Sequence, residues 1–293
     1  MTIYRYSNLS AALRDKDSPL STLLRTTLPN TRVVQAEYRK SEPELLVDGG
    51  SANPGTVGGA FDYAMRFELS PTYDGDLAKS AFLGFPTVVA EIDALIVAAQ
   101  AARGNGDQET VYRASWALAL LTEVYRVGLM PGSPLFELAS PEAMTAKNLL
   151  GLAGEDALRQ LRSLTEVARR ALVPNLNGPY RLGPTFDGST LCAADADVIA
   201  ADLLLDFKTS LGAKVSRPGG RSDRLDVTDL YQLVSYALFD RSNTYGIGRV
   251  GIYSARFGHL VSWDLQQLLD TLAGTPIKTQ ALRDQVWLAL GGR

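Results

Sequence analysis

LCAADADVIA at residues 191–200 and LLLDFKTS at 203–210 are the two runs on which the fold turns. Both are short and apolar, and a tight turn at Ala200–Asp202 separates them, so they predict two paired strands. Side chains alternate along a strand, so Asp206 and Lys208, two apart, leave the same face. A carboxylate and an ammonium side by side on an otherwise apolar strand cost desolvation that a purely structural strand need not bear. Asp197, at the start of the preceding strand, can fold back over the turn toward Asp206. Asp195 competes with it, pointing to the same face; Asp197 is preferred because the apolar run VIA follows it directly. Two converging carboxylates offer hard oxygen ligands suited to Mg²⁺ or Mn²⁺.

Downstream, the Gly- and Arg-rich segment SLGAKVSRPGGRSDRLD (210–226) reads as a loop and leads to a helix over 227–239, with Asp226 as its N-cap. On that helix Gln232 and Tyr236 share one face with Asp229, while Leu230, Leu233, Ala237 and Leu238 can face the core. RVGIYSARFGHLVSWDL (249–265) predicts a strand pair turning at 257–259, followed by two closing helices. The match of 246–251 to G-x-G-x-x-G follows a helix and enters a strand, the reverse of a dinucleotide-binding fold, and reads as a turn. His259, at the hairpin, is expected to face solvent, and Cys192 to be a buried or half-buried strand residue.

Upstream, residues 83–172 are almost wholly helical in pattern, broken at GNGD and MPGSP. The Trp and Tyr residues at 107–128 read as core, and Arg66 with Glu68 as an exposed helical pair. A helix is expected to begin near Val57 after the turn-rich SANPGTVGG. The first fifty residues predict a helix in PLSTLLRTTL (19–28) and a strand in TRVVQAEY (31–38). The order of elements suits an α/β chain of the α+β kind, a mixed central sheet flanked by helices with a large helical segment.

The 293 residues, 46% hydrophobic, can bury a sizeable core. A formal net charge of -3 gives no global attraction to nucleic acid or to an anionic membrane, so any polyanion contact must be local. Lys214, Arg217, Arg221 and Arg224 in the 210–226 segment, with Arg256 beside the hairpin turn, are the candidates for phosphate contacts. One cysteine and one histidine rule out an internal disulfide and a four-ligand Cys/His zinc site. No apolar run is long enough for a signal peptide or membrane span, so a cytoplasmic protein is expected.

Taken together, Asp197 leading an apolar strand, Asp206-Phe207-Lys208 on the next and Gln232 to Tyr236 on the following helix resemble the RecB-type branch of the PD-(D/E)XK nucleases. A bare D-x-K should occur roughly once by chance in a chain of this size; its order and context give the resemblance its force. The resemblance covers roughly 185–265 and extends to 55–69, and says nothing about the helical segment between; with it the chain reads as one restriction-endonuclease-like domain over 1–293, the helical pattern at 74–175 being an insertion and 176–293 the catalytic core. It implies a divalent-metal-dependent nuclease, acting on DNA in the first place, in recombination, repair or defence. Asp197, Asp206 and the Phe207 carbonyl would hold Mg²⁺ or Mn²⁺, Lys208 would position the attacking water and stabilise charge on the phosphate, and Gln232 and Tyr236 would orient the lysine, the water or a backbone phosphate. Many relatives carry an upstream G-x-x-x-H element; here Gly58 to Asp62 stands in that place, with Asp62 where the metal-binding histidine would be. The lone Cys192 excludes the four-cysteine iron–sulfur cluster of some relatives. No G-x-x-x-x-G-K-[ST] motif is present, so a helicase or other defence-system partner would be a separate chain. The alternative is a catalytically silent nucleic-acid-binding or scaffold protein with the same fold.

Overall fold

A computed structural model describes residues 6–216 and 220–293. The chain forms two compact units: a sheet unit of Met1–Leu45, Asn175–Lys208 and Gly212–Arg293, and a helical unit of Leu46–Pro174 with Thr209–Leu211. In chain order the sheet unit opens with α1 (Leu9–Arg14), α2 (Pro19–Thr27) and α3 (Thr31–Tyr38). The helical unit holds α4 (Pro54–Leu69), α5 (Asp76–Lys79), α6 (Pro86–Asn105), α7 (Gln108–Val127), α8 (Ala146–Leu150) and α9 (Glu155–Ala171). The sheet unit resumes with β1 (Tyr180–Leu182), β2 (Val198–Ala200), β3 (Leu203–Lys208), β4 (Ala213–Lys214) and β5 (Arg221–Ser222). It ends with α10 (Val227–Phe239), β6 (Arg249–Ser254), β7 (His259–Asp264), α11 (Leu265–Ala273) and α12 (Thr279–Ala289).

Five strands form a mixed sheet in the order β1-β2-β3-β6-β7, with β3 and β6 parallel and the other pairs antiparallel. Parallel neighbours need a crossover, and α10 supplies it, packing on β3 and β6. The register sets rows across the face that α10 covers. Ile199, Leu204, Val250 and Trp263 form one row; Asp206, Ile252 and Val261 the next; Lys208, Ser254 and His259 the last. That face therefore runs from apolar to polar toward the C-terminal end of β3. Its apolar rows join Leu230, Leu233 and Val234 of α10 in the buried core.

The strand pair, the helix at 227–239, the 249–265 hairpin and the two last helices stand where the sequence put them. Four local expectations are corrected. TRVVQAEY is helical, because Thr31, Val34 and Tyr38 are buried at helical spacing and the packing of α3 on α11 and α10 overrides the β preference of Val33-Val34. Only Val198–Ala200 of LCAADADVIA pairs as a strand; Cys192 lies in a bend, and burial pushes its thiol up to about 12. The upstream helix begins at Pro54, three residues before Val57, because Asn53 caps it by accepting from the Gly55 and Thr56 amides. Part of the Arg-rich segment is the two-stranded ribbon β4–β5, which pairs Lys214 with Arg221. Asp226 does occupy the N-cap of α10, although its side chain makes no capping bond.

In the helical unit α4 packs against α7, where a Cβ on Gly59 would stand 3.2 Å from that of Ala119, so the small residues set the approach. Tyr112 and Trp116 of α7 are core as expected, whereas Tyr125 is exposed near the helix end. No helix among the described residues is long and apolar enough to cross a membrane.

Of the glycines at 246–251, Gly251 has a steric cause in β6. A Cβ on Gly251 would lie 2.7 Å from the Val261 carbonyl oxygen and 2.8 Å from Leu205 Cδ2. Valine gains at most about 1 kcal/mol in strand preference, and a clash with fixed backbone outweighs it. Gly251→Val should destabilise the protein by about 1 to 3 kcal/mol, read as a lower urea midpoint.

Candidate active site

Lys208 ends β3, where its ammonium meets three acceptors: Asp206 Oδ2 at 2.8 Å, Asp229 Oδ1 at 3.0 Å and Gln232 Oε1 at 2.9 Å. An ammonium has three donors and no acceptor, so this set saturates it. Because Gln232 must offer oxygen to Lys208, its amide nitrogen faces the other way and donates to the Tyr236 hydroxyl at 2.8 Å. Burial favours loss of the lysine proton, but Asp206 and then Asp229 outweigh it and hold Lys208 above the ordinary lysine range. Lys208 is a fixed cation.

Asp229, Gln232 and Tyr236 lie at helical spacing on α10, and this one face of the crossover helix positions the whole lysine network. Asp229 shares that face by its spacing, yet only the structure shows its carboxylate on the lysine. Tyr236 is buried, and burial first, then Asp206, Asp197 and Asp195, push its hydroxyl well above the ordinary tyrosine range. It is a neutral O–H beside three carboxylates.

Asp197 reaches β3 by accepting a hydrogen bond from the Phe207 amide. Extending the β2–β3 register by one step sets it opposite Asp206. The turn that allows this has Ala201 at φ 54, a left-handed conformation that an alanine adopts only under constraint. Asp206, Phe207, Lys208, Asp197, Gln232 and Tyr236 are thus brought together at one end of the sheet.

The expected donor set, the Asp197 and Asp206 carboxylates with the Phe207 carbonyl, consists of hard oxygen alone. No cluster of three or more His, Cys, Asp or Glu able to hold a metal is found among the described residues. A Mg²⁺ ion keeps several waters and binds through one or two carboxylates plus substrate phosphate, so the pair fits that chemistry without a third protein carboxylate.

The other candidates stand apart in character. Asp62, in the helical unit, is gripped by Arg66 through Nε at 2.9 Å and Nη2 at 2.6 Å, and the Arg66 Nη1 donates to the Tyr73 hydroxyl. Arg66 is only 3% exposed, and Glu68 pairs with Arg103 and Arg169, so the exposed Arg66–Glu68 pair does not form; burial draws each to a nearer partner. Lys214 and Arg224 are exposed and Arg221 is half-buried, whereas Arg217 lies outside the described residues. Arg256 is 3% exposed, which withdraws it from an open phosphate-binding surface. His259 is not the solvent-facing residue expected: Asp223, Ser41 and Tyr38 enclose it.

Breaking one side of a buried ion pair leaves the other charge uncompensated. Asp62→Asn should therefore destabilise the helical unit by about 3 kcal/mol, measured by chemical denaturation, whatever else Asp62 does. Comparison with known protein families, with characterised proteins and with solved structures gives no match, so function has to be read from this geometry.

Proposed function

We propose that the chain is a divalent-metal-dependent nuclease, on a restriction-endonuclease-like sheet, that hydrolyses phosphodiester bonds, DNA being the first substrate to test. The observation that carries the reading is the Lys208 ammonium fixed between Asp206 and Asp229 on the same sheet end as Asp197. Asp197, Asp206 and the Phe207 carbonyl are the proposed ligands of Mg²⁺ or Mn²⁺. The ion, when bound, supplies Lewis-acid polarisation of the phosphate and a lowered pKa for water.

The chain's own groups do the rest. Lys208 is held as a cation and cannot serve as a general base; its part is to stabilise negative charge growing on the phosphate, from a position fixed before reaction. To do so it exchanges one of its three acceptors for a phosphate oxygen or the attacking water, while the other two keep it in place. Gln232 and Tyr236 hold that orientation from α10. Lys214, Arg221 and Arg224 are proposed to contact backbone phosphates without reading bases.

The test is incubation with linear, circular and single-stranded DNA, with and without Mg²⁺ or Mn²⁺. Cleavage should require the cation, and Asp206→Ala or Lys208→Ala should lower the rate by roughly a hundredfold or more. Unchanged activity in either well-folded variant would sink the assignment, and binding without cleavage under every condition would leave the silent scaffold as the better reading. Replacing Lys214, Arg221 and Arg224 with Ala should weaken binding alike across sequences and flatten its salt dependence by about one unit of slope per lost contact. A wild-type slope would show a ribbon that is merely solvated.

A further inference from the structure

Arg283, in the second turn of α12, is only 4% exposed, and no carboxylate among the described residues forms an ion pair with it. Its partners are neutral: Nε donates to the Ala237 carbonyl at 3.3 Å, and Nη1 to Asn243 Oδ1 at 2.9 Å. Nη2 has no acceptor among the described residues and is not sealed from water. Burial pushes the guanidinium below its ordinary range, and Asp240 and then Asp187, acting from a distance, offset this only in part. The group still carries its charge at neutral pH. Two neutral acceptors tie α12 to the last turn of α10, but they do not balance a buried cation, which is costly unless paired.

Arg283 lines a cavity of about 280 Å³ with Asn243, Ile247, Asp264, Leu265 and Thr279, all in the sheet unit. The cavity sits where β6 begins and β7 ends, the end of the sheet opposite Lys208. Thr279 is the first residue of α12, whose N-cap, Lys278, makes no side-chain capping bond, so the first-turn amides keep free donors at the positive end of the helix. Side chains on a helix lean toward its N-terminus, and Arg283, four residues on, shares the face of Thr279. Asn243 accepts from Arg283 through Oδ1, which leaves its Nδ2 as a further donor at the wall. Ile247 and Leu265 are buried and give the wall its apolar part. Asp264 is the acid in this lining; it caps α11 by accepting from the Gln267 amide at 2.9 Å, and being exposed and screened it weighs less than the buried cation.

We propose that this cavity binds the oxyanion group, phosphate or carboxylate, of a small molecule, with Arg283, Asn243 and the first amides of α12 as donors. The site stands independently of the nuclease reading. Its volume is near the lower end of ligand pockets, roughly 300 Å³, and its apolar wall takes an organic group beside the oxyanion. An anion there would supply the charge that Arg283 lacks.

Thermal unfolding of the full chain, free of divalent metal, is followed against inorganic phosphate and against acetate, with chloride at matched ionic strength as the control. The wild-type midpoint should climb with phosphate or acetate as mass action requires, and the more effective of the two identifies the group. Asn243→Asp places a carboxylate on Arg283, at an exposed position whose φ of 55 aspartate tolerates. Without ligand that variant should unfold at a higher temperature than wild type, and it should bind the anion about tenfold more weakly. Arg283→Gln should lose binding as well; if it does not fold, Asn243→Asp carries the test alone. A response to phosphate and acetate no greater than to chloride overturns the site. An anion response unchanged in Asn243→Asp places the anion elsewhere and equally overturns it. Neither result bears on DNA cleavage, so the nuclease reading stands or falls by its own experiment.

Discussion

The site depends on one ammonium group. Lys208 sits where β3 ends, beside a carboxylate of its own strand, and would be a costly charge there without acceptors. Asp229 and Gln232 supply them from α10, so the crossover that β3 and β6 require is also the element that fixes the cation. Topology and chemistry are coupled through that helix: a shift of α10 along the sheet would strand Lys208 and expose Tyr236.

The polar end of the sheet face is built by register. Parallel pairing of β3 with β6 and antiparallel pairing of β6 with β7 line up Lys208, Ser254 and His259, and the row behind them carries Asp206 among apolar neighbours. Gly251 keeps that register by admitting the backbone of β7 where any side chain would collide. Because a strand slipped by one residue turns every side chain to the other face, the same packing that buries Leu204 and Val250 also aims Asp206 and Lys208 at α10.

Charge is handled differently in the two units. In the helical unit Arg66 and Asp62 neutralise each other by a planar fork, a geometry that stabilises and closes. At the sheet end one lysine is shared among two carboxylates and an amide, none of which is matched to it alone. A shared cation can exchange a partner for a ligand at lower cost than a matched pair can.

Much of this was legible in the residues. The alternation of LLLDFKTS fixed Asp206 and Lys208 on one face, the four-residue spacing of Gln232 and Tyr236 fixed theirs, and both depend only on local geometry that strands and helices impose wherever they form. The strand pair, the crossover helix and the hairpin followed from the same periodicities. Tertiary packing decided the rest. It turned Val33-Val34 into helix, buried Arg66 and Arg256, and gave Asp229 to Lys208. It brought Ser41, Asp223 and His259, more than two hundred positions apart at the extremes, into one hydrogen-bonded cluster. No spacing rule links residues so distant. Only the order of strands in the sheet and the packing of α3 against that unit set which of them meet, because contacts between remote segments are chosen by the burial of whole faces and not by any local pattern.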